Sequence, residues 1–246
     1  MRLELIFEIE QLELPKDNKS IWISFFKKCL TRCGNGQFYD RYFGGTKQKD
    51  YTFSVIMPNP RFADEKILLD GHQIKLLFSS DDGNKTGLIF YQAFISAKQK
   101  RFPLPEGNGL VLKRINQMRE KLITSSRVMF RTVVGSGLVI REHNKETNRD
   151  KFFTFMDEGF ENQFKQVLGM QAEEAGFPAE AGRNLIFKAV QCKKVLVKQY
   201  GIYVDTTIGI FEVEGDVDFL QYLYQAGMGS KHSMGYGMLD IVAQKM

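Results

Sequence analysis

Leu3, Leu5, Phe7 and Ile9 alternate with Arg2, Glu4, Glu8 and Glu10, and Ile6 alone falls out of step. A period of two predicts a half-buried strand, because successive strand side chains point to opposite faces. Pro15 and the polar run DNKS end it. Ile21, Trp22, Phe25, Phe26, Cys29, Leu30 and Cys33 then recur at helical spacing. They predict an amphipathic helix capped by Asp17, Asn18 or Ser20. The stretch GNGQFYDRYFGGTKQKD reads as a long, Gly-rich, basic connection. YTFSVIMP is a β-rich run closed by Pro58, and Ile74, Leu76 and Phe78 mark another strand. KTGLIFYQAFISAKQK has helical length without internal proline, and residues 109–122 read as extended. The order is β-α-β-β-α-β.

The second half repeats it loosely. RVMFRTVV and LVIRE are strand-like around a break at Gly135-Ser136-Gly137. Phe160, Phe164, Val167 and Gln171 space as a helix. Residues 185–200 and 202–213 read as long strands joined near Gly201. Glu214, Asp216 and Asp218 open a short helix carrying Val217, Leu220 and Tyr224, and MLDIVAQ is the last strand. Acids at that end suit the helix dipole. Two βαββαβ units in tandem predict an α+β chain of two ferredoxin-like domains, residues 1–124 and 125–246. Each would be an antiparallel sheet with helices on one face and the other face free.

Composition changes this picture little. Hydrophobic residues are 43% and charged residues 26%, as in ordinary globular chains. No apolar run is long enough to span a membrane. Acids interrupt the first apolar run, MRLELIFEIEQLEL, which therefore lacks the core of a signal peptide, so a cytoplasmic chain is expected. Cys29, Cys33 and Cys192 are too few for a disulfide framework. The net charge is +5. Its distribution matters more: basic residues crowd the middle, among them Lys113, Arg114, Arg131, Lys188 and Lys193. Gathered on one face they would make a phosphate-binding track; scattered, they would be solvated surface.

Candidate chemistry concentrates in GMGSKHSMGYGM, residues 227–238. Gly227, Gly229, Gly235 and Gly237 allow close backbone approach, and Gly-rich turns can aim N–H groups at an anion. Ser230, Lys231, His232 and Ser233 add hydroxyls and positive charge, and Tyr236 could stack on an unpaired base. The loop follows a helix and precedes a strand, the reverse of the nucleotide-binding Gly motifs. A tight turn needing glycine only for sterics is the alternative.

The pattern Gly-Met-Gly, five residues, Gly-Tyr-Gly resembles the C-terminal Gly-rich loop of the CRISPR-associated endoribonucleases of the sixth Cas family, in the RAMP superfamily. KDYTFSVIMP and LVIREHNKETNRDKFF resemble the same family, and the likeness runs the length of the chain. It implies binding of CRISPR repeat RNA in a cleft between the domains, lined by the Gly loop and basic residues such as Lys49, Arg141 and Arg149. It also implies metal-independent cleavage of precursor CRISPR RNA within repeats. A 2′-hydroxyl attacks the adjacent phosphate, leaving a 2′,3′-cyclic phosphate and a 5′-hydroxyl. No cofactor and no metal are expected. Many members place a histidine after the first helix, but the segment from Thr31 to Phe53 has none. The base could be His143, or Tyr39 with Lys47 or Lys49 could position the hydroxyl. Two other classes stay open. One is a non-catalytic RAMP-type RNA-binding subunit working with other Cas proteins in an effector complex. The other is a small-anion or nucleotide-binding protein.

Overall fold

The computed structural model describes residues 1–45 and 48–244. In the first half, β1 (Arg2–Ile9), α1 (Lys19–Arg32), β2 (Tyr51–Ile56), β3 (Gln73–Ser80), α2 (Thr86–Ala97) and β4 (Gly109–Met118) follow in the expected order. They form one antiparallel sheet in the order β2-β3-β1-β4, with the short strand Arg101–Pro103 outside β4. Leu5 of the central strand faces Leu76 on one side and Ile115 on the other. One face of the sheet and the two helices enclose a core rich in phenylalanine. Phe26 of α1 meets Phe53 at 4.9 Å and Phe90 at 5.6 Å, and Trp22 meets Phe7 at 5.3 Å. Phe26 is fully buried, and cutting such a ring to alanine costs about 3–5 kcal/mol.

The second half contains β5 (Arg127–Thr132), β6 (Ile140–Asn144), β7 (Arg149–Phe153), α3 (Phe160–Glu174), β8 (Ile186–Gln199), β9 (Ile202–Glu214), α4 (Val217–Ala226) and β10 (Leu239–Gln244). Its main sheet runs β8-β9-β5-β10, the same ferredoxin-like order. Asp216 caps α4, its carboxylate accepting the Phe219 N–H at 2.8 Å. Two large core clusters result, one spanning Leu3 to Leu112 and the other Ile123 to Ile241, and a small third joins Val139, Val204 and Tyr236.

Four features depart from the sequence reading. Leu138 keeps a bridge to Thr207, but Ile140–Asn144 leaves the main sheet and pairs with residues 149–153 as a separate two-stranded ribbon, β6–β7. The long connection contains a short helix, Tyr39–Phe43. Glu13–Pro15, Lys66–Leu68 and Arg61–Phe62 make a small third sheet. Asn18 stands at the α1 N-cap without a side-chain cap bond; its Oδ1 accepts from Trp22 Nε1 at 3.4 Å instead.

The face of the first sheet opposite its helices is not free. Thr52 Oγ1 donates to the Tyr236 carbonyl at 2.6 Å, and Ser54 Oγ donates to the Val134 carbonyl. Arg2 reaches the Leu239 carbonyl at 2.8 Å and lies 4.3 Å over the Tyr224 ring. Thr52 and Ser54 are completely buried, so hydroxyls there fit an inter-sheet seam, where each finds a carbonyl. The β8–β9 ribbon also reaches the first half. The Gly201 N–H meets Asp17 at 3.2 Å, and Lys198 meets Glu65 at 3.3 Å.

Candidate nucleic-acid interface

The Gly loop fills the seam between the halves. Gly229 and Gly235 are buried at φ +86° and +88°, a region side chains with a β-carbon rarely enter. A β-carbon on Gly229 would stand 2.7 Å from the Val139 carbonyl oxygen; on Gly235, 3.0 Å from Lys19 Nζ and the Phe53 ring. The N–H groups of the four glycines, of Met228 and of Ser230 are spent internally. Gly227 donates to Leu223, Met228 to Gly237, Ser230 to Val139, Gly235 to His232 and Gly237 to Gly137. Gly229 donates to Gln171 Oε1 at 2.9 Å, and Gln171 Nε2 returns a bond to the Gly227 carbonyl at 2.7 Å. The glycines therefore do not form the anion-binding nest that the sequence suggested. Close packing of two halves accounts for Gly227, Gly229, Gly235 and Gly237.

Two further loop residues are corrected with them. His232 is only 2% exposed. Its Nδ1 faces the Tyr51 carbonyl at 2.9 Å, and its Nε2 faces Gln48 Nε2 at 2.7 Å. Burial pushes its pKa down. Tyr236, expected to stack on bases, is 1% exposed and lies under Lys19 at 4.3 Å. Ser230, Lys231 and Ser233 stay partly open.

Lys231 leads to the β6–β7 ribbon. His143 pairs across it with Asp150, and its Nδ1 lies 2.8 Å from the carboxylate. Arg141 Nη1 reaches the same carboxylate at 3.2 Å, and Lys231 Nζ stands 4.0 Å from it. Burial alone would raise the Asp150 pKa, but His143, Arg141 and Lys231 together hold it below the usual range. The Lys231 ammonium is itself pushed down by burial and by Arg141. The Arg141 N–H bonds Ser230 Oγ at 3.3 Å, tying ribbon to loop. Arg149 falls opposite Asn144, one residue out of step with Asp150. Its side chain therefore leaves from the other face of the ribbon, and the structure does not bring it into this cluster.

The connection approaches from the first half. The Gln48 N–H donates to Glu174 at 3.2 Å, and Lys49 Nζ donates to the Gly45 carbonyl at 3.2 Å. Burial lowers the Lys49 pKa, with Glu174 and Asp50 opposing. Through Gln48, His232 and Lys231 the connection, the Gly loop and the ribbon form one continuous run of contacts. Tyr39 sits on the short helix with its ring 5.6 Å from Phe43. No contact among the described residues joins it to His143. Lys47 lies outside the described residues.

A pocket of about 340 Å³ opens elsewhere on the same seam, lined by Lys16, Lys19, Phe62, Ser136, Lys198 and Tyr236 among others. Lys19 Nζ donates to the Gly235 carbonyl at 2.7 Å and to Gly135 at 3.3 Å. Burial lowers its pKa to about 7. Beyond Ser136 the pocket continues as an open face carrying Arg131 and Lys193. Part of the basic middle of the chain is thus gathered along one groove.

Sequence reasoning missed Asp150, Gln48 and Lys19. Asp150 had a signal: a polar KETN turn between two strand-like runs predicts a hairpin, and the hairpin pairs positions 143 and 150. Gln48 and Lys19 had none, since their partners lie 184 and 216 residues away.

Residues 117–241 match the family model described as CRISPR associated protein Cas6, C-terminal. A CRISPR-associated endoribonuclease, Cas6 1 of Methanocaldococcus jannaschii, is 23% identical over all of this chain and 94% of its own length. Among solved structures, a RAMP protein binding different RNA substrates superposes with a TM-score of 0.83 at 18% identity, covering 99% of this chain and 100% of its own. The product of a Cas6-related gene from Pyrococcus furiosus superposes with a TM-score of 0.80 at 19% identity, covering 100% of this chain and 99% of its own.

Proposed function

Because this chain belongs to the Cas6 family, we propose that it is an endoribonuclease that binds CRISPR repeat RNA and cleaves precursor CRISPR RNA within its repeats, in the cytoplasm. The reaction is metal-independent: a 2′-hydroxyl attacks the neighbouring phosphate in line, giving a 2′,3′-cyclic phosphate and a 5′-hydroxyl. The division at residues 124/125 is part of the same reading, with RNA running along the seam.

The observation that carries the proposal is the His143–Asp150 pair between two cations. A carboxylate 2.8 Å from Nδ1 fixes that nitrogen as the donor. Nε2 is then left with its lone pair, as a general base requires. Arg141 and Lys231, at 3.2 and 4.0 Å from the carboxylate, leave net positive charge beside the ring for the charge that builds on the phosphorane. Lys49, on the connection from the first half, is the further cation in this reading.

The test is incubation with a repeat RNA in EDTA, beside the same RNA carrying a 2′-deoxy nucleotide at the cut. Cleavage of the first alone supports the proposal, and cleavage of both at the same bond rejects it. Binding without cleavage supports the second reading, a non-catalytic RNA-binding subunit among other Cas proteins. That reading rests on the connection, which carries no histidine.

A further inference from the structure

His232 is buried, lies outside the base and the phosphate contacts, and yet touches the connection at two points. Its Nδ1 must donate, because the group facing it is the Tyr51 carbonyl at 2.9 Å. In the neutral ring Nε2 is then an acceptor, and it takes an N–H from Gln48 at 2.7 Å. One imidazole thus grips residues 48 and 51, the positions on either side of Lys49 and Asp50. The outer hold is completed elsewhere. The Gln48 N–H is bonded to Glu174 at 3.2 Å, and the Asp50 carboxylate accepts Thr86 Oγ1 at 2.8 Å. Gly227 lets the ring in, since a β-carbon there would stand 2.9 Å from His232 Cβ.

We propose that His232 is a positioning residue for RNA cleavage: by bonding Tyr51 and Gln48 together, its neutral ring fixes the stretch of the connection that carries Lys49. The proposal rests on the endoribonuclease reading above and adds a residue to it. The requirement is geometric, because misplacing a reacting or charge-bearing group by about 1 Å costs on the order of 10²-fold in rate. It is also specific to the protonation state. An imidazolium offers N–H at both nitrogens and can no longer accept from Gln48. Asp50 on the connection acts on the ring, Glu174 at the end of α3 reaches it through the Gln48 N–H, and Lys231 adjoins it on the same loop. Asp50 favours the imidazolium, but burial outweighs it and favours the neutral form.

Gln48 gives the cleaner test, because it is only partly buried and its loss spares the ring. Gln48→Ala should slow single-turnover cleavage at saturating RNA at least about tenfold, with RNA affinity within about twofold. Gln48→Glu places an acceptor opposite Nε2, so it should fail beside a neutral ring and recover beside an imidazolium. The rate of Gln48→Glu relative to Gln48→Ala should therefore rise as pH falls from 8 to 6. A wild-type saturated rate in Gln48→Ala overturns the proposal, as does a relative rate that is flat with pH. A loss confined to RNA affinity also overturns it and makes the grip a binding feature. Amide hydrogen exchange over residues 48–52 of the free protein reads the grip without RNA and should quicken in Gln48→Ala. Unchanged exchange rejects it even if the wild type cleaves nothing, whereas quickened exchange in a protein that cuts no repeat RNA overturns the endoribonuclease reading and spares the grip.

Discussion

Lys19 Nζ donates to the Gly235 carbonyl oxygen at 2.7 Å, joining the first turn of the first helix to a loop 216 residues later. The nitrogen is buried, and its pKa is lowered to about 7. A lysine lowered in the fold is held there at a cost while it stays charged. That cost is complete below about pH 7 and is relieved as pH rises towards the unfolded value near 10.5. Unfolding free energy should therefore rise by roughly 2 kcal/mol between pH 7 and 9, and Lys19→Met should abolish that rise. Urea titrations of both proteins at pH 7, 8 and 9 measure it. A wild-type slope equal to that of Lys19→Met would mean that Lys19 does not titrate in this window.

The Gly loop should fail by unfolding before it fails by losing RNA. Gly229→Val and Gly235→Val put a β-carbon against the Val139 carbonyl and the Phe53 ring at positive φ. Backbone strain alone is worth about 1–3 kcal/mol, and the contacts add to it. Thermal melts of the free proteins should show the loss. An unshifted melting temperature with weakened RNA binding would return the loop to direct contact.

His143→Ala should slow single-turnover cleavage by about 10² to 10⁴ with RNA affinity little changed. Asp150→Asn should slow it too, since an amide no longer fixes the donor nitrogen. If affinity falls and the saturated rate holds, His143 is a contact. Substitutions at Tyr39 and Lys49 should then carry the rate loss.

Binding of single-stranded repeat RNA should weaken with salt, log affinity falling by about 0.7 per log unit of salt for each phosphate neutralised. Arg131→Gln and Lys193→Gln, on the open groove face, should each reduce that slope. Filter binding across a salt series reads it, and a flat titration would reject the groove as an RNA path.

The fold was largely legible because its signals are local. The alternation of Leu3 to Ile9 and the helical spacing from Ile21 to Cys33 each mark an element without reference to the rest of the chain. LVIRE was harder: it is strand-like by pattern, and only pairing decides which sheet it joins. The site was legible in part. His143, Arg141 and Lys231 could be picked by type, but the carboxylate that assembles them could be found only through the hairpin register. The Gly loop misled because glycine serves close packing and ligand approach by the same freedom. Only the partners taken by its N–H groups tell the two apart.

The seam has a consequence for synthesis on the ribosome. Every residue of the first sheet has been made once Met118 is added, yet Thr52 and Arg2 find their partners only in Tyr236 and Leu239. At ordinary elongation rates the intervening chain takes on the order of ten seconds to make. For that interval the polar face of the nascent first half is held by water instead of by the second sheet, and the two halves dock only once the last strand is made. Loss of the chain from the Gly loop onward would leave that face open permanently, so a change late in this sequence would damage the half that was made earlier.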